Sequence, residues 1–248
     1  METSERLPAP VSKGHGLPRT IRLAYLNSLW SLSGWAVAHY YAGLLRQHGH
    51  SPHALAERAD DKDRAFYQHL LDGIDLSQPL SVLDIGCGMG DLIDFLQERG
   101  APIQAYLGID LLKQFVDICR QEYLPPCRFE RANFASRSFV SREQYDLVAC
   151  MGVLVSRTLA YEQYVEHTVD KMLAASRRHV VFNVISEIDR SFGNYRDAGR
   201  VGQITCLPRP RLAEIVARAA GRVGASYAIR EARIYPDAVD AFVRITRL

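Results

Sequence analysis

Short apolar runs alternate with helical patterns from residue 80 to the end of the chain. The apolar runs predict seven strands, at residues 80–85, 104–109, 128–132, 146–150, 179–186, 228–235 and 241–246. Between them, apolar residues recur at helical spacing at about residues 91–99, 112–122, 159–176 and 208–220. This alternation is typical of a parallel sheet covered by helices on both faces. No helical pattern separates the last two strands, only a short segment that contains Pro236 and Asp237, so they should pair antiparallel as a hairpin.

The first 79 residues follow a different pattern. Residues 1–20 hold three prolines and two glycines and predict a flexible tail. Residues 21–79 predict a helical cap, with helices at about 34–48 and 60–73 separated by the breaker His50-Ser51-Pro52. Ser33 is expected to begin the first of these helices, because serine is a favoured capping residue. The remainder, residues 80–248, is expected to form the main domain.

No Asp, Glu, Lys or Arg occurs between Arg22 and Arg46, a stretch long enough to span a bilayer as a helix. The same stretch contains Asn27 and several serines, whose polar groups would be costly in lipid. We therefore interpret it as a buried helix or a lid rather than a membrane span. A helix lying on a membrane surface is the alternative.

The most informative stretch is VLDIGCGMGD at residues 82–91. A strand runs into a tight glycine turn, and a helix begins just after it. Gly86 and Gly88 permit positive φ and let a ligand approach the backbone where a Cβ would block it. The amides at the start of the new helix then face the ligand. Asp110 follows Gly90 by 20 residues, at the tip of the second strand, where an acidic side chain can bind a ribose diol.

Two classes of ligand are compatible with this arrangement. A dinucleotide fold has G-x-G-x-x-G, whereas this chain has G-x-G-x-G with Asp84 before it and Asp91 after it. Two carboxylates around the turn would repel a pyrophosphate. They suit the ammonium and sulfonium of S-adenosylmethionine (SAM). The alternative is that Asp84 merely anchors the turn.

These residues resemble the glycine-rich motif of class I SAM-dependent methyltransferases, and the resemblance covers about residues 80–248. It implies a doubly wound α/β fold with a seven-stranded, mainly parallel sheet of order 3-2-1-4-5-7-6, in which strand 7 is antiparallel. It also implies SAM as the cofactor.

Carried over position by position, the resemblance implies a set of cofactor contacts. Asp84 would anchor the turn or meet the methionine end, and Asp110 would hold the ribose hydroxyls. Leu111 would lie against the adenine, and Asn133 and Phe134 would meet its edge, although Asp is commoner than Asn at that position. The other residues expected at the cofactor are Gly86, Cys87, Gly88, Gly90, Met151, Gly152 and Tyr40.

Methyl transfer is an in-line displacement that depends mainly on alignment and a dry pocket, so no catalytic residue is assigned. The sequence CMGVLV at residues 150–155 lacks the Asn-Pro-Pro-Tyr or Asp-Pro-Pro-Tyr of amide and exocyclic-amine methylases. We therefore expect a small-molecule acceptor, such as a metabolite or a natural-product intermediate. The residues expected to bind it are Tyr41, Asn183, Glu187, Tyr195 and Arg196.

The amino-acid composition limits the classes of partner that the protein is expected to bind. Thirty basic and 28 acidic residues leave a charge of +2, less than a dedicated nucleic-acid-binding protein usually carries. The five cysteines are widely spaced without a C-x-x-C pair, so neither a disulfide framework nor a metal site is expected, and a cytoplasmic location is favoured. An RNA or protein methyltransferase of the same fold and a catalytically silent SAM-binding domain stay open as alternatives. A monomer and a homodimer are both compatible with the sequence.

Overall fold

Seven strands form one sheet in the computed structural model, which describes residues 19–56, 63–193, 195 and 197–247. The strands are β1 (Leu80–Ile85), β2 (Ile103–Asp110), β3 (Cys127–Arg131), β4 (Tyr145–Cys150), β5 (Ser176–Ile188), β6 (Ser226–Ala232) and β7 (Ala238–Thr246). Their order is 3-2-1-4-5-7-6, and β7 is antiparallel to both of its neighbours. The predicted strands, the sheet order and the terminal hairpin are confirmed. Most of the predicted tail lies outside the described residues.

Six α-helices accompany the sheet in the described ranges. They are α1 (Arg19–His48), α2 (Asp63–Leu70), α3 (Asp91–Glu98), α4 (Lys113–Glu122), α5 (Tyr161–Ala175) and α6 (Arg209–Arg222). Short 3-10 helices occupy Pro52–Leu55 and Arg190–Phe192. The predicted helix start at Ser33 is wrong, because α1 runs through it without a break. The Ser33 hydroxyl bonds instead to the carbonyl of Leu29 at 2.9 Å, as serines inside helices can do.

The two faces of the sheet carry separate apolar cores. Helices α5 and α6 cover one face, where Val165 and Ile215 pack with Phe182 of β5. Helices α2, α3 and α4 cover the other face. There Phe66 of α2 meets the ring of Phe242 on β7, with ring centroids 6.1 Å apart. The segment assigned to the cap from sequence thus contributes one helix to the packing of the main sheet.

Helix α1 passes over the loops that follow β2 and β3. A Cβ placed on Gly34 would lie 3.5 Å from Nδ2 of Asn133 and 3.7 Å from Cδ1 of Leu111. Further along the helix, the ring of Tyr41 meets that of Phe115 in α4. The opposite face of α1 is solvated, and Trp35 is 71% exposed. Within the described residues, no helix combines the length and the apolar character needed to cross a bilayer.

Candidate cofactor and acceptor site

A cavity of about 610 Å³ lies at the carboxyl ends of the parallel strands, beneath α1. Its wall comes from the glycine turn after β1, the loops after β2, β3, β4 and β5, and residues of α1, α2 and α5. Ligands of open α/β sheets bind at this edge, because neighbouring loops diverge there and leave a crevice.

The glycine turn has the backbone conformation that its sequence predicts. Gly86, Gly88 and Gly90 have φ of 76°, 53° and 104°, all in the region that favours glycine. A Cβ on Gly86 would lie 2.2 Å from a methyl group of Val153, and one on Gly88 would lie 2.9 Å from Leu55. Gly86 and Gly88 line the cavity, and protein side chains occupy the space that a Cβ would need there.

Gly90 occupies a different position from the other two glycines. It precedes α3 and does not line the cavity. A Cβ there would lie 2.5 Å from the Tyr123 ring. The Tyr123 hydroxyl donates to Asp94 of α3 at 2.9 Å. The conformation and close packing of Gly90 therefore serve the junction of turn and helix rather than the cavity wall.

Asp110 holds the glycine turn against the end of β2. Its carboxylate accepts hydrogen bonds from the backbone amides of Gly88 at 3.2 Å and Leu112 at 2.8 Å. Burial raises the pKa of Asp110 to about 6, although these amide bonds oppose the rise. Asp110 lines the cavity, and each carboxylate oxygen can accept a second hydrogen bond. The side chain can therefore bind hydroxyl groups while it supports the turn.

Asp84 lies behind the turn and does not line the cavity. Its Oδ2 accepts a hydrogen bond from the Tyr106 hydroxyl at 2.5 Å. Burial raises the pKa of Asp84 to about 7, and the bond from Tyr106 limits the increase. Of the two roles expected for Asp84, the geometry matches the anchoring of the turn.

The loop after β3 carries the residues expected at the adenine. Asn133 and Phe134 line the cavity together with Leu111. Lys171 of α5 fixes the loop by donating to the carbonyls of Ser136 at 2.6 Å and Phe139 at 2.7 Å. The partial burial of its ammonium lowers the pKa of Lys171 to about 8. Tyr40 enters the same cavity from α1.

The turn after β4 forms the next part of the wall. Met151 and Gly152 line the cavity beside Cys87 of the glycine turn. The Gly152 amide donates to Oδ1 of Asn183 at 2.9 Å, and Nδ2 of Asn183 donates to Asp240 on β7 at 3.2 Å. Asn183 also lines the cavity. Its buried amide group therefore connects the ends of β4, β5 and β7.

The residues expected to bind the acceptor divide into two groups. Tyr41, Tyr195 and Asn183 line the cavity, whereas Glu187 lies outside the wall, 3.4 Å from Arg233. Arg196 is outside the described residues. Sequence reasoning missed several other residues of the cavity wall, which no local motif marks: Phe66, Tyr67, Thr168, Tyr235 and Asp240. In the described ranges, no three His, Cys, Asp or Glu side chains come together as a metal site would require.

Comparison with known proteins identifies the family. The family described as "Methyltransferase domain" matches residues 82–180. A protein of Mycobacterium tuberculosis (strain ATCC 25618 / H37Rv), "Putative methyltransferase Rv1506c", is 30% identical over 135 residues, covering 52% of this chain and 72% of that protein. The chain belongs to the class I SAM-dependent methyltransferases.

Solved methyltransferases share the fold of the chain. Magnesium protoporphyrin IX methyltransferase (ChlM) from Synechocystis PCC 6803 with bound SAH has a TM-score of 0.53 and 18% identity, covering 92% of this chain and 99% of that chain. N-methyltransferase NodS from Bradyrhizobium japonicum WM9 in complex with S-adenosyl-l-homocysteine (SAH) has a TM-score of 0.55 and 16% identity, covering 84% and 97%. At these identities the comparison supports the fold alone.

The cavity wall fits the cofactor of a SAM-dependent methyltransferase. SAM supplies a methyl group on a sulfonium, which a nucleophile on the acceptor displaces. The carboxylate of Asp110 can accept hydrogen bonds from the ribose hydroxyls, and the glycine turn at Gly86 and Gly88 forms the wall beside it. The enzyme contributes alignment and exclusion of water, and alignment alone can contribute about 7–11 kcal/mol.

Proposed function

We propose that this methyltransferase acts on a small molecule that binds beyond Gly152, between the ends of β5 and β7. The supporting observation is the shape of the cavity, which continues from the glycine turn to a wall of aromatic side chains. These aromatic residues are Phe66, Tyr67, Tyr195 and Tyr235. Concave, largely apolar walls with a few polar groups are typical of small-molecule sites.

Several polar groups line this end of the cavity, Asp197 and Ser156 among them. Asn183 and Asp240 face the cavity from adjacent strands and are hydrogen bonded to each other. Gln203 lines the cavity from the loop that follows β5. Such groups can orient a small acceptor over the methyl group, while the aromatic rings exclude water.

We also propose that α1 acts as a lid over the bound cofactor. Trp30 on the inner face of α1 is buried, and Tyr40 and Tyr41 of the same helix line the cavity. The loop before α5 is attached to α1 through the Leu159 amide, which donates to the Ser33 hydroxyl at 2.9 Å. A lid in this position would exclude water from the sulfonium and complete the acceptor site.

The proposed acceptor class is tested by incubating the protein with methyl-labelled SAM and an extract of the producing cell. We expect the label in a low-molecular-weight product. Tyr195→Ala should reduce this labelling about tenfold or more while the affinity for SAH changes little, because Tyr195 lies in the acceptor end. Tyr227→Ala, at an exposed tyrosine of β6, is the matched control and should label like the wild type.

The distribution of the label separates this proposal from its alternatives. Label in RNA or in protein would contradict a small-molecule acceptor. Tight SAH binding with no labelled product from any extract fraction would favour a catalytically silent SAM-binding domain.

The lid is tested separately by deleting residues 1–45. The truncated protein should keep its sheet by circular dichroism and lose most of its methyl transfer. A truncated protein that transfers methyl groups as fast as the full chain would contradict the lid.

A further inference from the structure

A row of exposed side chains runs along the outer face of α1. Ile21, Tyr25, Leu32 and Trp35 are 51%, 59%, 63% and 71% exposed, and the exposed Ser28 lies between the second and third of them. These residues follow one another at intervals of three or four positions, which is the spacing of one helix face. Four large apolar side chains therefore share the solvated face of a helix whose opposite face lines the cavity.

The apolar surface continues from α1 onto two neighbouring loops. The Leu159 amide donates to the Ser33 hydroxyl at 2.9 Å, and Leu159 is 37% exposed. A Cβ on Gly202 would lie 3.6 Å from Ala36 of α1, and the adjacent Val201 is 40% exposed. We call the four apolar residues of the row, together with these two loop residues, the α1 surface. Contiguous exposed apolar surface of this kind is typical of an interaction site.

The charges of α1 lie at the ends of its exposed row. No Asp, Glu, Lys or Arg occurs between Arg22 and Arg46, and both arginines are exposed. Arg46 shares the face of the row, because it follows Trp35 by eleven positions, about three turns of helix. At a lipid surface, aromatic rings lie at the level of the headgroups and arginines meet the lipid phosphates. The arrangement of apolar side chains between arginines matches that requirement.

The alternative partner for such a face is a second copy of the chain. A coiled-coil seam needs apolar side chains at successive positions of its repeat. In this row, Ser28 and His39 occupy positions where the seam would need an apolar residue. The headgroup region of a bilayer accepts hydroxyl and imidazole groups, because water and polar headgroups are present there. The composition of the row therefore favours a lipid surface.

We propose that the α1 surface binds the face of a lipid bilayer that contains anionic phospholipids. Its aromatic and aliphatic side chains enter the headgroup region, and the arginines at the two ends of the row pair with lipid phosphates. Thr158 and Gly202, which line the cavity, are adjacent to Leu159 and Val201 of the α1 surface, so the bilayer would lie close to the cavity. Membrane binding is a property of this surface and does not depend on the identity of the acceptor.

Vesicle sedimentation tests the proposal with the full-length protein. One set of vesicles contains phosphatidylcholine alone, and the other contains phosphatidylcholine and phosphatidylglycerol in equal amounts. We expect the partition coefficient to be about tenfold or more higher on the mixed vesicles and to decrease as the salt concentration rises. Leu32→Glu should lower binding to the mixed vesicles by about tenfold or more, because it places a negative charge in the apolar face.

Leu124→Glu is the matched control. It makes the same exchange at a leucine that is 78% exposed in the loop between α4 and β3, away from the α1 surface. This variant should bind the mixed vesicles as tightly as the wild type does. Because both leucines are exposed, neither exchange should lower the melting temperature appreciably.

The two tryptophans of the chain provide a second measurement. Trp35 is exposed, whereas Trp30 is only 3% exposed. The tryptophan emission should shift to shorter wavelength when the mixed vesicles are added, because the Trp35 ring leaves water. Trp35→Phe should lack this shift, since the environment of Trp30 is already apolar.

Three results would overturn the proposal. The first is a wild type that does not bind the mixed vesicles. The second is equal binding by Leu32→Glu and Leu124→Glu, which would show that another surface meets the lipid. The third is a dimer, detected by light scattering, that Leu32→Glu converts to a monomer while no vesicle binding occurs. None of these results bears on the small-molecule proposal, which is tested by the fate of the labelled methyl group.

Discussion

The side-chain oxygen of Asn183 accepts a hydrogen bond from the backbone amide of Gly152 at 2.9 Å. Gly152 has a φ of 72°, so it holds a turn that glycine favours. Because Asn183 lies inside β5, the strand fixes the position of a turn that belongs to β4. The hydrogen bond from Asn183 to Asp240 extends this connection to β7.

Asn183→Leu should remove both hydrogen bonds and leave the Gly152 amide and the Asp240 carboxylate without this partner. We expect the free energy of unfolding to fall by about 1–3 kcal/mol, with a larger proportional loss of methyl transfer than of SAH affinity. Asn183→Asp keeps the acceptor for Gly152 but places a second carboxylate beside Asp240. Its stability should recover between pH 8 and pH 5, as the two carboxylates come to share a proton. If Asn183→Asp were equally stable at pH 5 and pH 8, this account would be contradicted.

Asp110→Asn tests the carboxylate at the ribose position. It removes the negative charge that the hydroxyls would bind, and SAH affinity should fall about ten- to a hundred-fold. In the wild type, SAH affinity should rise as the pH increases from 5 to 7.5, because the pKa of Asp110 is raised to about 6 and the ionised form is the better acceptor. Calorimetry should show this rise strongly reduced in Asp110→Asn. Some loss of stability is also expected, since Asp110 supports the turn at Gly88.

Asp84 should make stability depend on pH. Its pKa in the folded protein is about 7, against 3.8 for an ordinary Asp, so the folded state binds the proton more tightly. Stability from this group is therefore highest at low pH and decreases as the pH rises from about 4 to about 7. Relative to Asp84→Asn, the wild type should lose about 2–3 kcal/mol between pH 5 and pH 8 in urea titrations. In Tyr106→Phe the loss of stability over this pH range should be larger, because the Tyr106 hydroxyl stabilises the ionised Asp84 carboxylate.

Gly34 and Gly43 form a matched pair on α1. Either replacement by Ala should favour the helix by up to about 1 kcal/mol. Gly34 lines the cavity, and its new Cβ would lie in ordinary contact with Asn133 and Leu111. Gly34→Ala should therefore weaken SAH binding without lowering the melting temperature. Gly43→Ala, which meets no atom within 4 Å, should stabilise the protein with SAH affinity unchanged. Equal SAH affinities in the two variants would show that α1 does not close on the ligand.

The inner strands of the sheet could be predicted from sequence because each contains a local apolar run. The limits of β5 could not be predicted, since a serine and two arginines precede its apolar part. Arg177 is accepted there because it lies 3.2 Å from Asp146 on the neighbouring strand. The continuity of α1 was also missed, because Ser33 and Gly34 have the residue types of a helix end. The role of each residue depends on a tertiary contact. Ser33 accepts a hydrogen bond from the Leu159 amide, and Gly34 lies close to Asn133.

The candidate site also has one part that could be predicted from sequence and one part that could not. The glycine turn and Asp110 are adjacent to strands and have a recognisable spacing, so they could be located from sequence. The wall formed by Phe66, Thr168 and Asp240 comes from α2, α5 and β7, and these elements meet only through tertiary packing. No local pattern identifies which side of such a helix faces a cavity.

The contact between Gly86 and Val153 has an evolutionary consequence. A side chain at position 86 would collide with Val153 whether or not a cofactor is bound. Selection for folding alone would therefore preserve this glycine in a descendant that had lost its enzymatic activity. The first substitutions in such a lineage would be expected at residues such as Tyr40, which lines the cavity and is not part of the buried core. After a loss of activity, substitutions in the cavity wall would therefore appear before substitutions in the glycine motif.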